Sequence, residues 1–446
     1  MKRLFAVIAL LLLPPVAYAG ELDYKTLSLP ELTQMAEAGD AEAQYGLGAM
    51  YATGRGVPQD YRQAADLFRK AAEQGLAKAQ YDLGFMYAAG QGVPQDFRQA
   101  EHWYRKAAEQ GYLMAQVNLG SMYERGQGVS QDYQQAMNWY RKAAEQGFAT
   151  AQHNLGVMYA TGQGVPQDNQ QAIDWYRKAA EQGHAPAQSN LGFMYAMGQG
   201  VPQDYRQAMN WYRKAADQGE LKAQVNVGSM YERGLGVPKD YQEAVNWWRK
   251  AAEQGLADAQ YNLAVMYDEG RGVTQNFRQA LNWYQKAAEQ GHAGAQHNLG
   301  VVYALGRAVP QDFREALNWF QKAAEQGHAD SQYSIGGMYS NGLGVPQDFR
   351  QAVSWYQKAA EQGHASAQNN LGIMYLNGQG VPKDIVLAYA LYSLAATGEG
   401  KSSAARNRDI IAKDMTPAQI EEGRAIASQW QVGQPLPTTT GRADSR

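Results

Sequence analysis

Residues 41–76 read AEAQYGLGAMYATGRGVPQDYRQAADLFRKAAEQGL, and this pattern decides the fold of most of the chain. It recurs without insertion in 36-residue repeats that begin at Ala41, Ala77, Leu113, Ala149, Ala185, Leu221, Ala257, Ala293, Ala329 and Ala365. Ten repeats fill most of the 446 residues. A strict period of this length indicates a solenoid, because each repeat can bury its apolar face only against its neighbours.

Each repeat predicts two helices joined by a glycine-containing loop. In the first copy, Ala43 and Leu47 lie at helical spacing and predict helix A over about residues 41–51. The following G-x-G-V-P ends that helix, and Asp60 is a good N-cap for helix B, with Gln63 in the place of a capping-box partner. Gly75 then supplies the left-handed residue that ends helix B.

The recurring pattern resembles a known family. A-x-A-Q-x-x-L-G-x-M-Y, followed by G-x-G-V-x-x-D and A-x-x-W-Y-x-K-A-A-x-x-G, is similar to the Sel1-like repeat, a relative of the tetratricopeptide repeat, in all ten repeats. The resemblance implies an all-α fold, a right-handed superhelical α/α solenoid of ten helix-turn-helix repeats with terminal capping helices. It also implies a scaffold that binds other proteins.

The beginning of the chain predicts export. A basic start and an apolar run over residues 4–13 precede the small-residue pattern Ala17-Tyr18-Ala19. This is typical of a signal peptide over residues 1–19, cleaved before Gly20. An uncleaved anchor is the alternative, but the apolar run is too short to span a bilayer. We therefore expect a bacterial protein that is periplasmic or secreted.

The remaining segments differ from the repeats, as the ends of a solenoid require. We expect an N-terminal capping segment over residues 20–40, with a helix over 29–39, and ten repeats over 41–400. Two capping helices should follow within residues 401–432, where Thr416, Pro417 and Gln419 form a helix-start pattern. Residues 433–446, rich in Pro and Thr, are expected to be a disordered tail.

Composition and motifs argue against several classes of function. Forty Lys and Arg against 43 Asp and Glu give a formal charge of −3, which disfavours a nucleic-acid partner bound through its phosphates. The chain has no Cys, which removes disulfides and thiolate sites and separates it from disulfide-rich family members described as acting on β-lactams. We predict no cofactor and no enzymatic activity. An envelope enzyme or glycan binder acting on peptidoglycan or β-lactams stays open as the alternative.

Histidine is the best candidate for metal binding, but its spacing is unfavourable. Four residues occupy the same place after the helix-B glycine: His184, His292, His328 and His364. Equivalent positions in neighbouring repeats should lie about 10 Å apart, as packed helices do. A zinc ion needs its ligands about 2 Å away. We therefore predict no metal site.

The candidate binding residues lie on helix A. In the tetratricopeptide relatives, positions two, five, six, nine, twelve and thirteen of the unit tend to face the concave surface, and here those positions vary between repeats. The resulting prediction is a partner-binding groove of Tyr45, Tyr81, Phe85, Asn118, Glu124, His153, Asn154, Asn190, Phe193, Asn226, Glu232, Tyr261, Asn262, Asp268, His297, Asn298 and Tyr333. The row of Asn at position six allows two interpretations, bonding to a neighbouring helix or gripping the backbone of a ligand, and we favour the first slightly.

The sequence thus predicts an exported, monomeric scaffold that binds a protein or peptide along the helix-A groove. No transmembrane segment is expected in the mature chain. A long open groove would support the scaffold, and a closed pocket with convergent carboxylates or histidines would support the enzyme.

Replacing Ala19 with Arg should block removal of the signal peptide, because signal peptidase sites require small residues. The measurement is the mass of the protein recovered from the cell envelope. Normal maturation of this variant would contradict the proposed cleavage site.

Overall fold

The computed structural model describes residues 28–397 and 401–436. The expected signal peptide, with Ala17, Ala19 and Gly20, lies outside the described residues. So do residues 437–446 of the expected tail.

Within the described ranges the chain forms 23 α-helices and one 3₁₀ helix, and no strand. Helix A of the ten repeats is α2 Ala41–Thr53, α4 Ala77–Ala89, α6 Leu113–Arg125, α8 Ala149–Thr161, α10 Ala185–Met197, α12 Leu221–Arg233, α14 Ala257–Glu269, α16 Ala293–Leu305, α18 Ala329–Asn341 and α20 Ala365–Asn377. Helix B is α3 Tyr61–Glu73, α5 Phe97–Glu109, α7 Tyr133–Glu145, α9 Asn169–Glu181, α11 Tyr205–Asp217, α13 Tyr241–Glu253, α15 Phe277–Glu289, α17 Phe313–Glu325, α19 Phe349–Glu361 and α21 Ile385–Ala395. The ends are α1 Leu29–Glu37, α22 Lys401–Ile411, the 3₁₀ turn Ala412–Asp414 and α23 Pro417–Gln429. This architecture confirms the predicted all-α solenoid.

The chain divides into two compact bodies. The first contains the described residues up to Ala223 together with 235–237, and the second contains Gln224–Gly234 and the residues from Pro238 onward. Within each body, the two helices of a repeat pack against each other, as α4 and α5 do, and helix B packs against the next helix A, as α5 and α6 do. No helix in the described part of the chain has the length and apolar character needed to cross a membrane.

Local chemistry sets the ends of the helices. The Asp60 carboxylate accepts hydrogen bonds from the backbone N–H groups of Arg62 and Gln63, at 2.9 and 3.1 Å. The Gln63 side chain bonds the same carboxylate, at 3.3 Å, and so does not complete a capping box through the backbone. Helix B ends at Gly75, whose φ of +94° places it in the predicted left-handed region.

The second loop glycine is required by a close approach between repeats. At Gly92, with φ +70°, an added Cβ would lie 2.0 Å from the carbonyl oxygen of Tyr61, at the start of the preceding helix B. A side chain there would push the loop away from its neighbour. The glycine therefore helps to fix the spacing between successive repeats.

Small residues let helices A and B pack closely within a repeat. A Cβ at Gly48 would lie 2.9 Å from the Phe68 ring, and Ala64 on the facing helix is fully buried. Trp103 of the second repeat packs into the same apolar cluster as Phe68 and Leu83. The indole thus joins the core of one repeat to the next.

A buried glutamine occupies position four of every repeat, and within each body it links adjacent repeats. These ten side chains are only 3–6% exposed. The Gln152 Nε2 donates to the carbonyl of Ala144 on the preceding helix B, at 3.1 Å, and its Oε1 accepts from Gln182 at the end of the following helix B, at 2.7 Å. The second body repeats this arrangement, for example around Gln296. We call this two-way contact the glutamine bridge.

The ends of the chain continue the repeat geometry. The carbonyl of Ala36 on α1 accepts the bridge from Gln44, as Ala72 does from Gln80, so α1 takes the place of a helix B before the first repeat. At the other end, α22 and α23 both pack against α21. Thr416 caps α23, with Pro417 at its first position, in the arrangement expected from the sequence.

Part of the expected tail is ordered, which corrects the prediction of disorder from residue 433. The Gly433 N–H donates to the Glu361 carbonyl at 2.8 Å, and the Leu436 N–H donates to the Glu361 carboxylate at 3.3 Å. Leu436 is buried in the apolar cluster of the ninth and tenth repeats. This apolar contact offsets the entropy that the segment loses on ordering.

Replacing Gln152 with Ala should lower the free energy of unfolding by about 1–3 kcal/mol, because it leaves buried partners of the bridge without hydrogen bonds. Gln199→Ala is the matched control, since that side chain is exposed in a loop, and it should change stability by less than about 0.5 kcal/mol. Urea unfolding followed by circular dichroism provides the measurement. If both substitutions lowered the free energy of unfolding equally, the glutamine bridge would stabilise the fold no more than an exposed loop side chain does.

Candidate functional site

Three of the predicted groove residues are core residues, which corrects their expected exposure. Tyr45, Tyr81 and Asn118 are 3%, 1% and 3% exposed. Tyr45 packs against the Phe68 ring of the same repeat. Tyr81 lies among other aromatic rings, and burial raises its pKa well above the usual value. The spacing of residues in the sequence does not show how much of a side chain at position five is covered when helix B packs over it.

The row of Asn at position six is at least partly structural. The Asn298 amide donates to the hydroxyl of Tyr284 on the preceding helix B, at 3.0 Å, and Asn370 makes the same bond to Tyr356 at 3.3 Å. Asn190 instead lies 3.1 Å from the His153 Nε2 of the preceding helix A. These contacts support the interpretation that we favoured slightly.

The predicted Tyr and His side chains at position five pair with the ring of the last residue of the same repeat. Tyr261 stacks on His292, and Tyr333 stacks on His364, with ring centres 4.5 and 4.7 Å apart. In the same way His153 lies 5.1 Å from His184, and His297 lies 4.9 Å from His328. The Asn154 Oδ1 lies 3.3 Å from the Nδ1 of His153, the first member of the His153–His184 pair.

The histidines at the repeat ends have a structural role that the sequence did not reveal. The Nδ1 atoms of His184, His292, His328 and His364 accept a backbone N–H from the first turn of the next helix A. They are therefore N-caps. Among residues 28–397 and 401–436, no group of three His, Cys, Asp or Glu side chains could hold a metal ion.

The predicted acidic residues contact groups within their own body. The Glu124 carboxylate accepts from the Tyr140 hydroxyl at 2.7 Å. Glu232 lies 3.7 Å from Arg271, and Asp268 lies 3.8 Å from Arg307, in each case across to the loop of the next repeat. Burial raises the pKa of Asp268 from its ordinary value. Glu232 and Asp268 thus pair with arginines of the next repeat, whereas the Glu124 contact lies within its own repeat.

The more accessible apolar side chains of helix A lie near its C-terminal end. Phe85 and Phe193, at position nine, are half-buried. The polar Asn226 and Asn262, at position six, are half-buried too. The sequence analysis missed Met197 and Leu305, which both occupy position thirteen and are 55% and 54% exposed. The available signal was a large apolar residue in a place where the other repeats carry Ala, Thr, Arg, Glu or Asn.

Helix B presents a uniform outer surface. In eight consecutive repeats, a Lys lies over the Trp three residues earlier, with its Nζ 3.8–4.6 Å from the ring centre, for example Lys142 over Trp139 and Lys250 over Trp247. This is a cation–π arrangement. Because it is the same in these eight repeats, it carries little information that could distinguish one partner from another.

One cavity of about 240 Å³ lies between the first two repeats, in the first body. It is lined by Ala49, Ala52, Thr53, Tyr61, Phe68, Asp82, Phe85, Met86 and Gln91. Phe85 is the only lining residue that the sequence analysis selected. The lining contains a single carboxylate, Asp82, and no histidine.

Comparisons with known proteins give one consistent family. A family model described as the Sel1 repeat matches residues 41–76, 77–112, 113–148, 149–184, 185–220, 221–256, 257–292, 293–328, 329–364 and 365–399. A protective antigen of uropathogenic Escherichia coli with an SLR fold is 37% identical over 90% of this chain and 94% of its own, with a TM-score of 0.59. A Sel1 repeat protein from Oxalobacter formigenes is 34% identical over 73% and 98%, with a TM-score of 0.55. A search of curated proteins found no match.

The buried His153 predicts a pH-dependent stability. Burial, and after it His184, lowers the pKa of His153 to about 3 from an ordinary 6.5. Between these values the unfolded chain binds a proton that the folded chain does not, so stability falls as the pH drops below about 6.5. One such site contributes at most about 1.4 kcal/mol per pH unit.

His153→Asn, which introduces the residue that the tenth repeat carries as Asn369, should therefore reduce the loss of stability between pH 7 and pH 5 by about 2 kcal/mol. His102→Asn is the control, because His102 is exposed. Urea unfolding at both pH values tests this. An unchanged pH dependence in the His153 variant would contradict it.

Proposed function

The chain belongs to the Sel1 repeat family, and on that premise we propose that it is an exported scaffold that binds a protein or peptide partner through its helix-A side. Sel1 repeat proteins are generally non-enzymatic scaffolds for protein–protein interactions. The proposal adds the compartment, the binding side of the repeat and the residues that contact the partner.

The observation that carries the proposal is the contrast between the two helices. Helix B shows solvent the same Lys-over-Trp arrangement in repeat after repeat. Helix A changes its accessible side chains, with Met197 and Leu305 more than half exposed at one of its positions. Specific recognition needs a surface that differs from place to place, and exposed apolar side chains are favoured contact residues.

The internal contacts narrow the proposed surface. Much of the predicted groove is occupied in packing or in bonds between repeats, as with Tyr81 and Asn298. We therefore propose Phe85, Phe193 and Met197 as the contact residues of the first body, and Leu305, Asn226 and Asn262 as those of the second. The two phenylalanines and the two asparagines are half-buried. We call these residues the helix-A surface.

Export is supported by the start of the sequence and by a relative. Residues 1–19 have the basic, apolar and small-residue parts of a signal peptide. The similar protein from uropathogenic Escherichia coli is described as a protective antigen, and an antigen of this kind has to be reached by the immune system. We propose a periplasmic or secreted location for this chain.

Site-specific photocrosslinking in the native cells tests the binding side. A benzoylphenylalanine at Met197 or Leu305 should give discrete adducts with a partner, whereas the same group at Lys142 or Lys250 on helix B should not. Met197→Glu should weaken capture of that partner by an order of magnitude or more, because it places a charge in an apolar contact.

Lys214→Glu is the matched control for Met197→Glu, since Lys214 is exposed on the helix B that follows in the same repeat. Adducts that form only from the helix-B positions would overturn the proposed surface. Recovery of the protein only from the cytoplasm, with residues 1–19 intact, would overturn the proposed export.

A further inference from the structure

Position three of the repeat departs from its pattern once, at a place where two histidines meet. This position is Ala in nine of the ten repeats and Ser331 in the ninth. Ser331 is fully buried. Its Oγ lies 2.9 Å from the Nδ1 of His297 on α16 and 3.1 Å from the Nδ1 of His328, the N-cap of α18. We call these three residues the histidine–serine cluster.

Hydrogen-bond chemistry fixes the proton of His328. Its Nδ1 accepts the backbone N–H of Ser331, at 3.3 Å, and therefore carries no proton itself. A neutral His328 then holds its proton on Nε2. The Ser331 hydroxyl has a single hydrogen, so it bonds both rings only by donating to His328 and accepting from an Nδ1–H of His297. The cluster is fully hydrogen-bonded in this arrangement with both imidazoles neutral.

Several titratable groups face the cluster from the elements packed around it. Asp330 on α18 is the carboxylate that acts on both rings, and its Oδ1 also lies 3.1 Å from the Nε2 of His364. His292, at the end of the preceding repeat, is within electrostatic reach of His328. Burial, and after it His328, lowers the pKa of His297 to about 4, and Asp330 opposes this only in part. Burial lowers the pKa of His328 as well, so both rings are neutral at pH 7.

The first body contains a similar pair of rings without the serine. His153 and His184 lie 5.1 Å apart, but position three of the next repeat is Ala187. The two ring nitrogens of His153 face the side-chain amides of Asn154 and Asn190 instead. The serine therefore distinguishes the pair in the second body, because its hydroxyl ties both imidazoles to the start of α18.

We propose that the histidine–serine cluster is a pH-sensitive switch between the eighth and ninth repeats, closed while both imidazoles are neutral and opened when they take up protons. A proton added to His328 has to go to Nδ1, because the other nitrogen already carries one, and the N-cap of α18 then loses its acceptor. A proton added to His297 places a charge in a ring whose centre is 4.9 Å from that of His328. Opening releases the start of α18 from α16.

The direction of the pH dependence follows from proton uptake in the open state. An open His297 has the ordinary pKa of about 6.5, whereas burial holds the pKa of the closed one at about 4. Below about pH 6.5 the open state therefore binds a proton that the closed state does not, and the closed state loses stability as the pH falls. Between pH 7.5 and 5.5, His297 alone should raise the opening equilibrium about tenfold. His328 acts in the same direction.

Hydrogen exchange of the purified full-length protein, followed by mass spectrometry at pH 7.5 and 5.5, measures this opening. After correction for the chemical exchange rate, residues 328–334 at the start of α18 should lose about tenfold or more of their protection at the lower pH. Residues 240–246 at the start of α13 are the internal control, because the Asp240 carboxylate caps that helix. Carboxylates titrate near about pH 4, so protection there should change by less than about twofold.

A double variant removes both imidazoles with residues that the chain already combines. His297→Tyr with His328→Leu gives the pair that the first repeat carries as Tyr45 and Leu76. This variant should abolish the pH-dependent loss of protection at the start of α18. His102→Asn is the matched control, because it removes an exposed histidine on helix B, and it should leave that loss unchanged.

Nitrogen-15 spectra of the histidine rings test the proton arrangement without any variant. At pH 7.5 the proton of His328 should be on Nε2 and that of His297 on Nδ1. A proton on the Nδ1 of His328, equal protection of α18 at the two pH values, or a double variant that loses protection as the unmodified protein does would overturn the inference. The spectra and the exchange of the unmodified protein decide the question even if the double variant fails to fold. The switch concerns the folded chain alone, so its failure would leave the proposed scaffold function intact.

Discussion

The glutamine bridge is the contact on which the repeat geometry depends. One buried side chain donates to a carbonyl of the preceding helix B and accepts from the end of the following one, as Gln152 does with Ala144 and Gln182. It therefore fixes three consecutive helix positions with a single residue. A buried amide satisfies both of its polar groups only when all three lie correctly. Gln occupies position four in all ten repeats, and eight of these side chains make both contacts. Helix α1 supplies the carbonyl for the first of them.

Packing between repeats uses many of the residues that would otherwise be available for binding. The Tyr and His rings at position five pair with the residues at the repeat ends, and the amides of Asn298 and Asn370 bond tyrosines of the preceding helix B. Glu232 and Asp268 face arginines of the next loop. A solenoid has little interior in each repeat, so polar side chains at the interfaces hold the repeats in register. What remains for a partner is a smaller set of side chains, chiefly near the C-terminal ends of helix A.

The first interface departs from this internal matching. At two interfaces an asparagine bonds a tyrosine of the preceding helix B, whereas Phe68 and Asp82 line a cavity. Asp82 was not a candidate in the sequence analysis, although the two substitutions 14 residues apart are visible in the sequence.

The sequence by itself determined the number of repeats, the helix pair within each, the caps such as Asp60 and the glycines such as Gly75, because these depend on local spacing and backbone chemistry. It also determined which helix varies between repeats. Only the tertiary structure decided that Tyr81 and Asn118 are buried while Met197 and Leu305 are exposed. Helical periodicity gives the direction of a side chain around its own axis, but its burial depends on how closely the neighbouring helices approach. The ordered Leu436 and the cavity at Asp82 likewise arise from contacts between residues far apart in the chain.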